Sequence, residues 1–498
     1  MAASLHLQPA PIGVDSSDSA VLHLGRRILS AGAIYGLTNF GLKGLNFLLL
    51  PIVSRYLQPA DFGIVALAES IAAPIGMICG LGTATSLRRM YYEFGEDEVN
   101  RRGYIGTAVR FAFLSATAFI LCSCLVGPFV LAHLDRSFPI PFFPLIAVAI
   151  CSAGLSQIEQ TQLSIFQVQN RPGSFAVISL ATVGLAIIMV PVLVIFFRMG
   201  AAGVLVSRFA GVVCGVVATI WLCRSLLTTR WHWDGLHEQV RLGLPVTVFE
   251  VVNLALIFAD RIILQHYRPL SEVGIYSIAY SFGSLMLLLT VSLSQVWSPL
   301  FFEASCAGQI ETLRKTSSSL MAGLAAIASI GVVVAGPVIH TFLDARYESA
   351  AALVPLILGA YLINSFYYLF ELQAFQQKRT SIVAVVTVFA CAINIATNVW
   401  LVPKWGVFGA AIATIAAYIA QAIAMYVFVR RGIKGLYSPK LILLNLAAFS
   451  GLLLAVEISY RFHAAGRFTA VAALLVTLAA LWPLGLNRAM TIVRSAVA

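Results

Sequence analysis

The stretch SFAVISLATVGLAIIMVPVLVIFF, Ser174 to Phe197, carries no charged residue between Arg171 and Arg198. A hydrocarbon core about 30 Å thick needs about 20 apolar residues at helical rise, so this segment is long enough to cross a bilayer. Only helices and closed barrels satisfy every backbone group inside lipid, and a continuous apolar run, as opposed to an alternating one, selects the helix. Working outward with the same ruler marks spans near 28–50, 62–85, 104–131, 142–161, 174–197, 203–226 and 243–264, then 273–297, 318–343, 351–373, 382–402, 406–429, 441–460 and 467–486. The expected fold is an all-α polytopic membrane protein of about 14 transmembrane helices.

Composition agrees: 60% of the 498 residues are hydrophobic and 11% charged, against roughly 25% charged in soluble domains. A net charge of +11 would suggest nucleic acid in a soluble protein. Here the Lys and Arg sit in short loops between apolar spans, which is a topology signal, and no nucleic-acid partner is expected. With the N-terminus in the cytoplasm, twenty Lys and Arg, among them Arg88, Arg89, Arg314, Arg430 and Arg431, fall on the cytoplasmic side, and eight on the other. Both termini are therefore expected in the cytoplasm.

Residues 1–27 read as a polar cytoplasmic tail ending in Arg26-Arg27. The apolar stretch that follows is too long for a signal-peptide core and lacks a small-residue cleavage site, so the first span is expected in the mature protein. Residues 487–498 read as a second tail. The cysteines at 79, 122, 124, 151, 214, 223, 306 and 391 show no metal-type pairing and read as small packing residues. No metal and no cofactor are expected. Loops assigned outside reach roughly a dozen residues at most, leaving no room for a soluble catalytic domain, so the chain is not expected to be an enzyme.

The two halves resemble each other. RYLQPADFGIVALA (Arg55–Ala68) aligns with HYRPLSEVGIYSIA (His266–Ala279) at an offset of 211, QNRP (Gln169–Pro172) with QKRT (Gln377–Thr380) at 208, and GAAGVLVS (Gly200–Ser207) with GVFGAAIA (Gly406–Ala413) at 206. Nearly constant offsets indicate a duplicated six-helix unit: an N-lobe over 28–226, a C-lobe over 243–429 and two added helices over 441–486. Equivalent helices run the same way, so the pseudo-axis lies along the membrane normal and a substrate path is expected between the lobes.

RYLQPADFG (Arg55–Gly63), LGTATSLRRMYYEFGEDE (Leu81–Glu98), ADRIILQHYRPLSEVGIYSIAYSFGSL (Ala259–Leu285) and GVFGAAIAT (Gly406–Thr414) resemble the polysaccharide flippases: the Wzx-like O-antigen or exopolysaccharide transporters of the multidrug/oligosaccharidyl-lipid/polysaccharide exporter superfamily, which also holds the MATE transporters. The resemblance covers about residues 25–430. It implies two six-helix lobes around a central cavity and alternating access in the bacterial inner membrane. It also implies a polyprenyl-pyrophosphate-linked oligosaccharide as cargo, with a polysaccharide polymerase and chain-length machinery as partners. Two other readings stay open: a peptidoglycan-precursor flippase and a multidrug/cation antiporter. The acidic ion site usual on the first helix of the antiporters is absent here, where Lys43 stands instead.

An ionisable group inside a bilayer costs several kcal/mol and asks for a partner or a wet cavity. On the first span Tyr35, Asn39, Lys43 and Asn46 share one helical face, and Lys43 lies deep. Either that face lines the cavity and the ammonium meets the cargo's pyrophosphate, or Lys43 pairs with Glu69 or Asp260. Span 7 carries Glu250, Asn253, Asp260 and Arg261. Asp260 and Arg261 point about 100° apart on a helix and are not expected to pair as neighbours, and Arg261 either functions or snorkels. Tyr276 and Tyr280 on span 8, with Ser284 and Gln295, and Asn364, Tyr368 and Glu371 on span 10 offer rings and amides that suit sugars, or are packing. Glu69 reads as a cation site or a Lys43 partner. Arg110, Glu159 and Arg208 lie near helix ends, where snorkelling or local pairing is expected. Arg88 and Arg89 either capture an anionic headgroup at the cytoplasmic face or anchor the topology.

Overall fold

The computed structural model describes residues 41–482, except 42–43, 45–46, 48, 94–96, 135–137, 225–230, 434–435 and 462–465. The described chain is helical throughout. Its helices are α1 (Pro59–Gly80), α2 (Thr83–Glu93), α3 (Glu98–Leu134), α4 (Ala147–Val168), α5 (Pro172–Pro191), α6 (Gly200–Cys223), α7 (Trp233–Tyr267), α8 (Leu270–Cys306), α9 (Ile310–Phe342), α10 (Val354–Gln376), α11 (Thr380–Val429), α12 (Pro439–Arg461) and α13 (Gly466–Leu481). Among the described residues, eleven helices are long and apolar enough to cross a membrane. One of them, α11, is two spans back to back, because Gly406 sits at φ 54, ψ −130 and reverses the chain. The first span falls mostly outside the described residues and the last is partly described. This is a multi-pass membrane protein, and its lipid-facing surface is correspondingly apolar: Leu125, Phe129, Ile188 and Phe196 are all exposed.

Two corrections concern boundaries. Span 7 begins at Trp233 instead of 243, because His232 caps the helix by accepting from the Gly235 N–H at 3.0 Å. Span 2 continues past a left-handed break at Leu81 (φ 43) and Gly82 (φ 65) into α2, so the charged stretch after it starts as helix.

Burial forms one continuous core in the second half, built from α7 to α13. The first half has three smaller clusters. The duplication seen in the sequence recurs in backbone geometry: Asn170 and Lys378, matched in the QNRP and QKRT segments, take left-handed φ values of 53 and 57, and Gly200 and Gly406 take 55 and 54. The Asp61 carboxylate caps two helices at once, accepting from its own turn at Gln58 N–H (2.9 Å) and from Ala201 N–H (3.3 Å) at the start of α6. Its repeat mate Glu272 lies beside Gly406 in the same way: an added Cβ would meet Asp61 Oδ1 at 3.0 Å from Gly200 and Glu272 Oε2 at 3.2 Å from Gly406.

The halves meet most closely where the matched glycines face each other. A Cβ on Gly63 would lie 2.0 Å from the Leu270 carbonyl oxygen, and one on Gly274 would lie 1.8 Å from that of Pro59. Pro59 and Leu270 are themselves matched at the offset of 211, so the seam between α1 and α8 is a reciprocal, pseudo-twofold contact. Beside it, Arg346 Nη2 donates to the carbonyl oxygens of Ser54 (3.3 Å) and Arg55 (3.1 Å), and the Tyr347 hydroxyl donates to that of Leu57 (2.8 Å).

Replacing Gly274 by Ala drives a methyl group into a backbone carbonyl and should cost about 1–3 kcal/mol, read as a fall of several degrees in the thermal unfolding of the purified protein. Gly184, with open space at its Cβ position, is the matched control, and Gly184→Ala should hold or slightly raise the midpoint. A Gly274→Ala protein as heat-stable as wild type contradicts the close seam.

Candidate functional site

Helical spacing brings polar side chains of four spans into one chamber inside the second half. Glu250 and Asn253 lie one turn apart on α7, and Asn364, Tyr368 and Glu371 follow the i, i+4, i+7 stripe of α10. These five line a cavity of about 200 Å³, closed by Thr387, Tyr418 and Gln421 of α11. The Asn364 amide donates to Gln421 Oε1 (3.4 Å), and Gln421 donates on to Thr387 Oγ1 (3.5 Å), so a chain of hydrogen bonds runs along this wall. Among the described residues, two carboxyl groups share this space and no Lys or Arg lines it. A chamber with two acids and no cationic side chain attracts a proton or a small cation to offset its charge. The sequence pointed to five of these residues. It missed the three on α11, although Thr387 and Gln421 stand out as polar groups inside apolar spans.

Next to the chamber lies a second cluster, and here the structure overturns the expectation that Asp260 and Arg261 stay apart. Their side chains meet at 3.3 Å because the long Arg261 folds back along α7, where its Nη1 also donates to the Ile257 carbonyl oxygen (2.9 Å). The snorkelling alternative falls with it, since Arg261 is 5% exposed and Asp260 1%. The Tyr276 hydroxyl donates to Asp260 Oδ2 at 2.5 Å, and the Arg261 guanidinium lies 4.2 Å from the centre of the Tyr280 ring. Ring contacts continue from Tyr280 to Tyr361 (5.5 Å) and on to Tyr418 (6.0 Å), which is itself a wall of the chamber. Tyr276 and Tyr280 line none of the described cavities. Their rings enclose the buried ion pair, because a charge pair in low dielectric survives only when its remaining donors and acceptors are satisfied.

Glu69 is paired with Arg208 across α1 and α6. Glu69 thus has Arg208 as a partner, whereas Lys43, the other partner considered for it, lies outside the described residues; for Arg208 this is the local pairing expected near a helix end. The pair lines a smaller cavity of about 150 Å³ at the seam between the halves, with Ser277 and Ser281 of α8 opposite and Leu49, Leu50 and Val53 from the end of the first span. Glu159 accepts from the Thr182 hydroxyl at 2.5 Å, and Arg110 stacks on Trp231 at 4.5 Å. At the face assigned to the cytoplasm, Arg88 donates to Gln167 (3.1 Å) and Thr85 (3.2 Å), and Arg89 pairs with Glu93 (3.4 Å) within α2. Asn39, Lys43 and Asn46, with Tyr35, lie outside the described residues. Phe47, one turn on from Lys43, packs edge-on against Phe282 of α8 (4.8 Å), which brings the end of the first span to the seam.

Residues 28–305 match the family model described as polysaccharide biosynthesis protein. The chain belongs to that family. No curated protein sequence matches it. Among solved structures, it is similar to an inward-facing multidrug resistance MATE family transporter of the MOP superfamily (TM-score 0.67, 14% identity, 82% of this chain and 98% of that one). It is also similar to the lipid II flippase MurJ in an inward closed conformation (0.67, 14%, 93% and 100%). A MOP superfamily transporter from Pyrococcus furiosus with a binding pocket of reverse polarity overlays less closely (0.55, 14%, 82% and 96%). At such identities the likeness is one of fold: an all-helical MATE/MOP architecture.

Truncating Asp260 to Ala strands a buried guanidinium, and removal of one partner of such a pair costs about 3–5 kcal/mol. The expected result is a sharp loss of folded protein in size-exclusion and thermal-unfolding measurements, with Asp260→Leu/Arg261→Met recovering most of it. An Asp260→Ala protein of wild-type stability contradicts the buried pair.

Proposed function

We propose that this protein is a flippase that carries an undecaprenyl-pyrophosphate-linked oligosaccharide, an O-antigen or exopolysaccharide repeat unit, from the cytoplasmic to the periplasmic leaflet by alternating access of its two helical halves. It acts in the bacterial inner membrane with both termini in the cytoplasm, and hands its cargo to a polysaccharide polymerase and chain-length machinery. The match of residues 28–305 to a polysaccharide biosynthesis family, on a fold shared with a lipid II flippase, carries the reading.

The physics is permissive. Moving negative charge outward across an inside-negative potential is favourable by roughly 2.3 kcal/mol per charge per 100 mV, and the sequence has no GxxxxGK[ST] phosphate loop to bind ATP. In this proposal Lys43, with Asn39 and Asn46, meets the pyrophosphate. Glu69 and Arg208 border the path at the seam, and the Glu250–Glu371 chamber takes up and releases a proton or monovalent cation as the halves rock. Arg88 and Arg89 meet anionic headgroups at the entry face. The Asp260–Arg261 cluster and its tyrosines position the chamber through Tyr418. The chain performs transport and no bond chemistry.

The shared fold keeps two relatives in view, a peptidoglycan-precursor flippase and a drug/cation antiporter. Deletion separates them: loss of surface polysaccharide with unchanged viability and drug susceptibility supports the proposal, loss of viability favours the precursor flippase, and drug sensitisation favours the antiporter.

Lys43→Ala should insert at wild-type level, judged by membrane fractionation, and lose export of surface polysaccharide. Full export by that variant removes Lys43 from the mechanism. Glu250→Gln/Glu371→Gln should likewise insert, and should slow export at least about tenfold, the scale of one lost charge interaction in a membrane interior. Unchanged export removes the chamber from coupling.

A further inference from the structure

Outside the seam, two cavities on the far wall of the second half form one continuous site. The first is a basic pocket of about 230 Å³ at the face assigned to the cytoplasm, between the ends of α9, α10 and α11 and the segment leading into α12. Among the described residues, Arg314 and Arg430 line it and no carboxylate does. The neighbouring Lys315 is paired with Glu311 (3.3 Å). Its inner wall carries Gln373, which is 1% exposed and whose side-chain carbonyl has no partner among the described residues. Tyr437 holds the floor by donating to the Leu369 carbonyl oxygen at 2.5 Å.

The second cavity is an apolar groove of about 500 Å³ between α10, the later limb of α11 and α12, walled by Phe370, Ile419, Ile423, Ile442, Leu446 and Leu453. Tyr426 and Pro439 line both cavities, so the groove opens directly into the basic pocket. Along α12 the groove runs from Ile442 to Leu453, about 16 Å at 1.5 Å per residue, which is close to one leaflet of a hydrocarbon core about 30 Å thick.

We infer that this is a built site for an anionic glycerophospholipid of the cytoplasmic leaflet, with the headgroup phosphate on Arg314 and Arg430 and an acyl chain in the groove. Basic pockets between transmembrane helices on the cytoplasmic side have this use, and a guanidinium pair suits the planar donor geometry a phosphate accepts. The lone Gln373 carbonyl calls for a donor on the ligand, which a glycerol headgroup hydroxyl supplies. The depth, one leaflet, and the position, away from the seam, fit a resident lipid better than a polyprenyl-linked cargo that must reach the space between the halves. The site is independent of the cargo proposed above.

The test is binding of defined lipids to the delipidated full-length protein in detergent, followed by native mass spectrometry. Wild type should bind phosphatidylglycerol roughly tenfold or more tighter than phosphatidylethanolamine, from about a fivefold step for each of two arginines near the surface. Glycerol 1-phosphate should fail to compete, because it lacks the chain. Arg314→Gln/Arg430→Gln should weaken both lipids and erase the preference, bringing phosphatidylglycerol down to the phosphatidylethanolamine level, with an unchanged thermal unfolding midpoint showing that the variant is folded. Leu446→Trp should weaken both lipids together. Equal binding of the two lipids by wild type, an undiminished preference in the double variant, displacement by glycerol 1-phosphate, or tighter binding of undecaprenyl phosphate than of phosphatidylglycerol would each overturn the assignment.

Discussion

The structure hangs on one close approach, the reciprocal contact of Gly63 with Leu270 and Gly274 with Pro59, where two backbones come nearer than any side chain allows. In lipid, helices gain nothing from hiding apolar surface, so association depends on close packing and on polar contacts, and small residues at the crossing make the first possible. The contact also places Asp61 and Glu272 beside the glycine-led turns of Gly200 and Gly406. A second helix of each half is thereby tied to the sixth of its own half and to its mate in the other.

With that seam fixed, the distribution of charge inside the membrane becomes intelligible. The fully buried pair, Asp260 and Arg261, is enclosed by tyrosines and holds α7 to α8. The half-buried pair, Glu69 and Arg208, borders the seam. The two acids with no basic partner among the described residues of their chamber, Glu250 and Glu371, sit one aromatic relay away from the enclosed pair. These three arrangements differ in how freely a charge can change its partner, which is the property a transporter needs. In the proposed mechanism the enclosed pair is structural, the seam pair borders the moving halves, and the chamber has charge to trade.

Much of the fold was legible because bilayer physics is simple: span length, Lys/Arg asymmetry and a repeat offset are linear features of the chain. The repeat was readable down to single turns, since Asn170 and Lys378 share a left-handed φ despite different side chains. The chamber was legible on α7 and α10, where the polar residues keep a helical stripe. On α11 Thr387 and Gln421 lie on separate limbs joined by the reversal at Gly406, so no single stripe unites them. The pairing of Asp260 with Arg261 was missed for a different reason. Helical phase locates Cβ atoms, whereas a guanidinium on a four-bond arm reaches back past its own turn, and Glu69 found Arg208 because side-chain reach and the neighbouring helix decide such partners.

The account stands most directly on movement of a lipid-linked oligosaccharide between leaflets. Purified protein in liposomes carrying a fluorescent short-chain polyprenyl-pyrophosphate oligosaccharide, probed with a membrane-impermeant quencher, measures that movement. Protein-dependent transfer that quickens when the potential favours the moving negative charge is the predicted result. Leaflet populations that stay as they were loaded, with and without potential, in vesicles where the protein is folded and inserted, would contradict it.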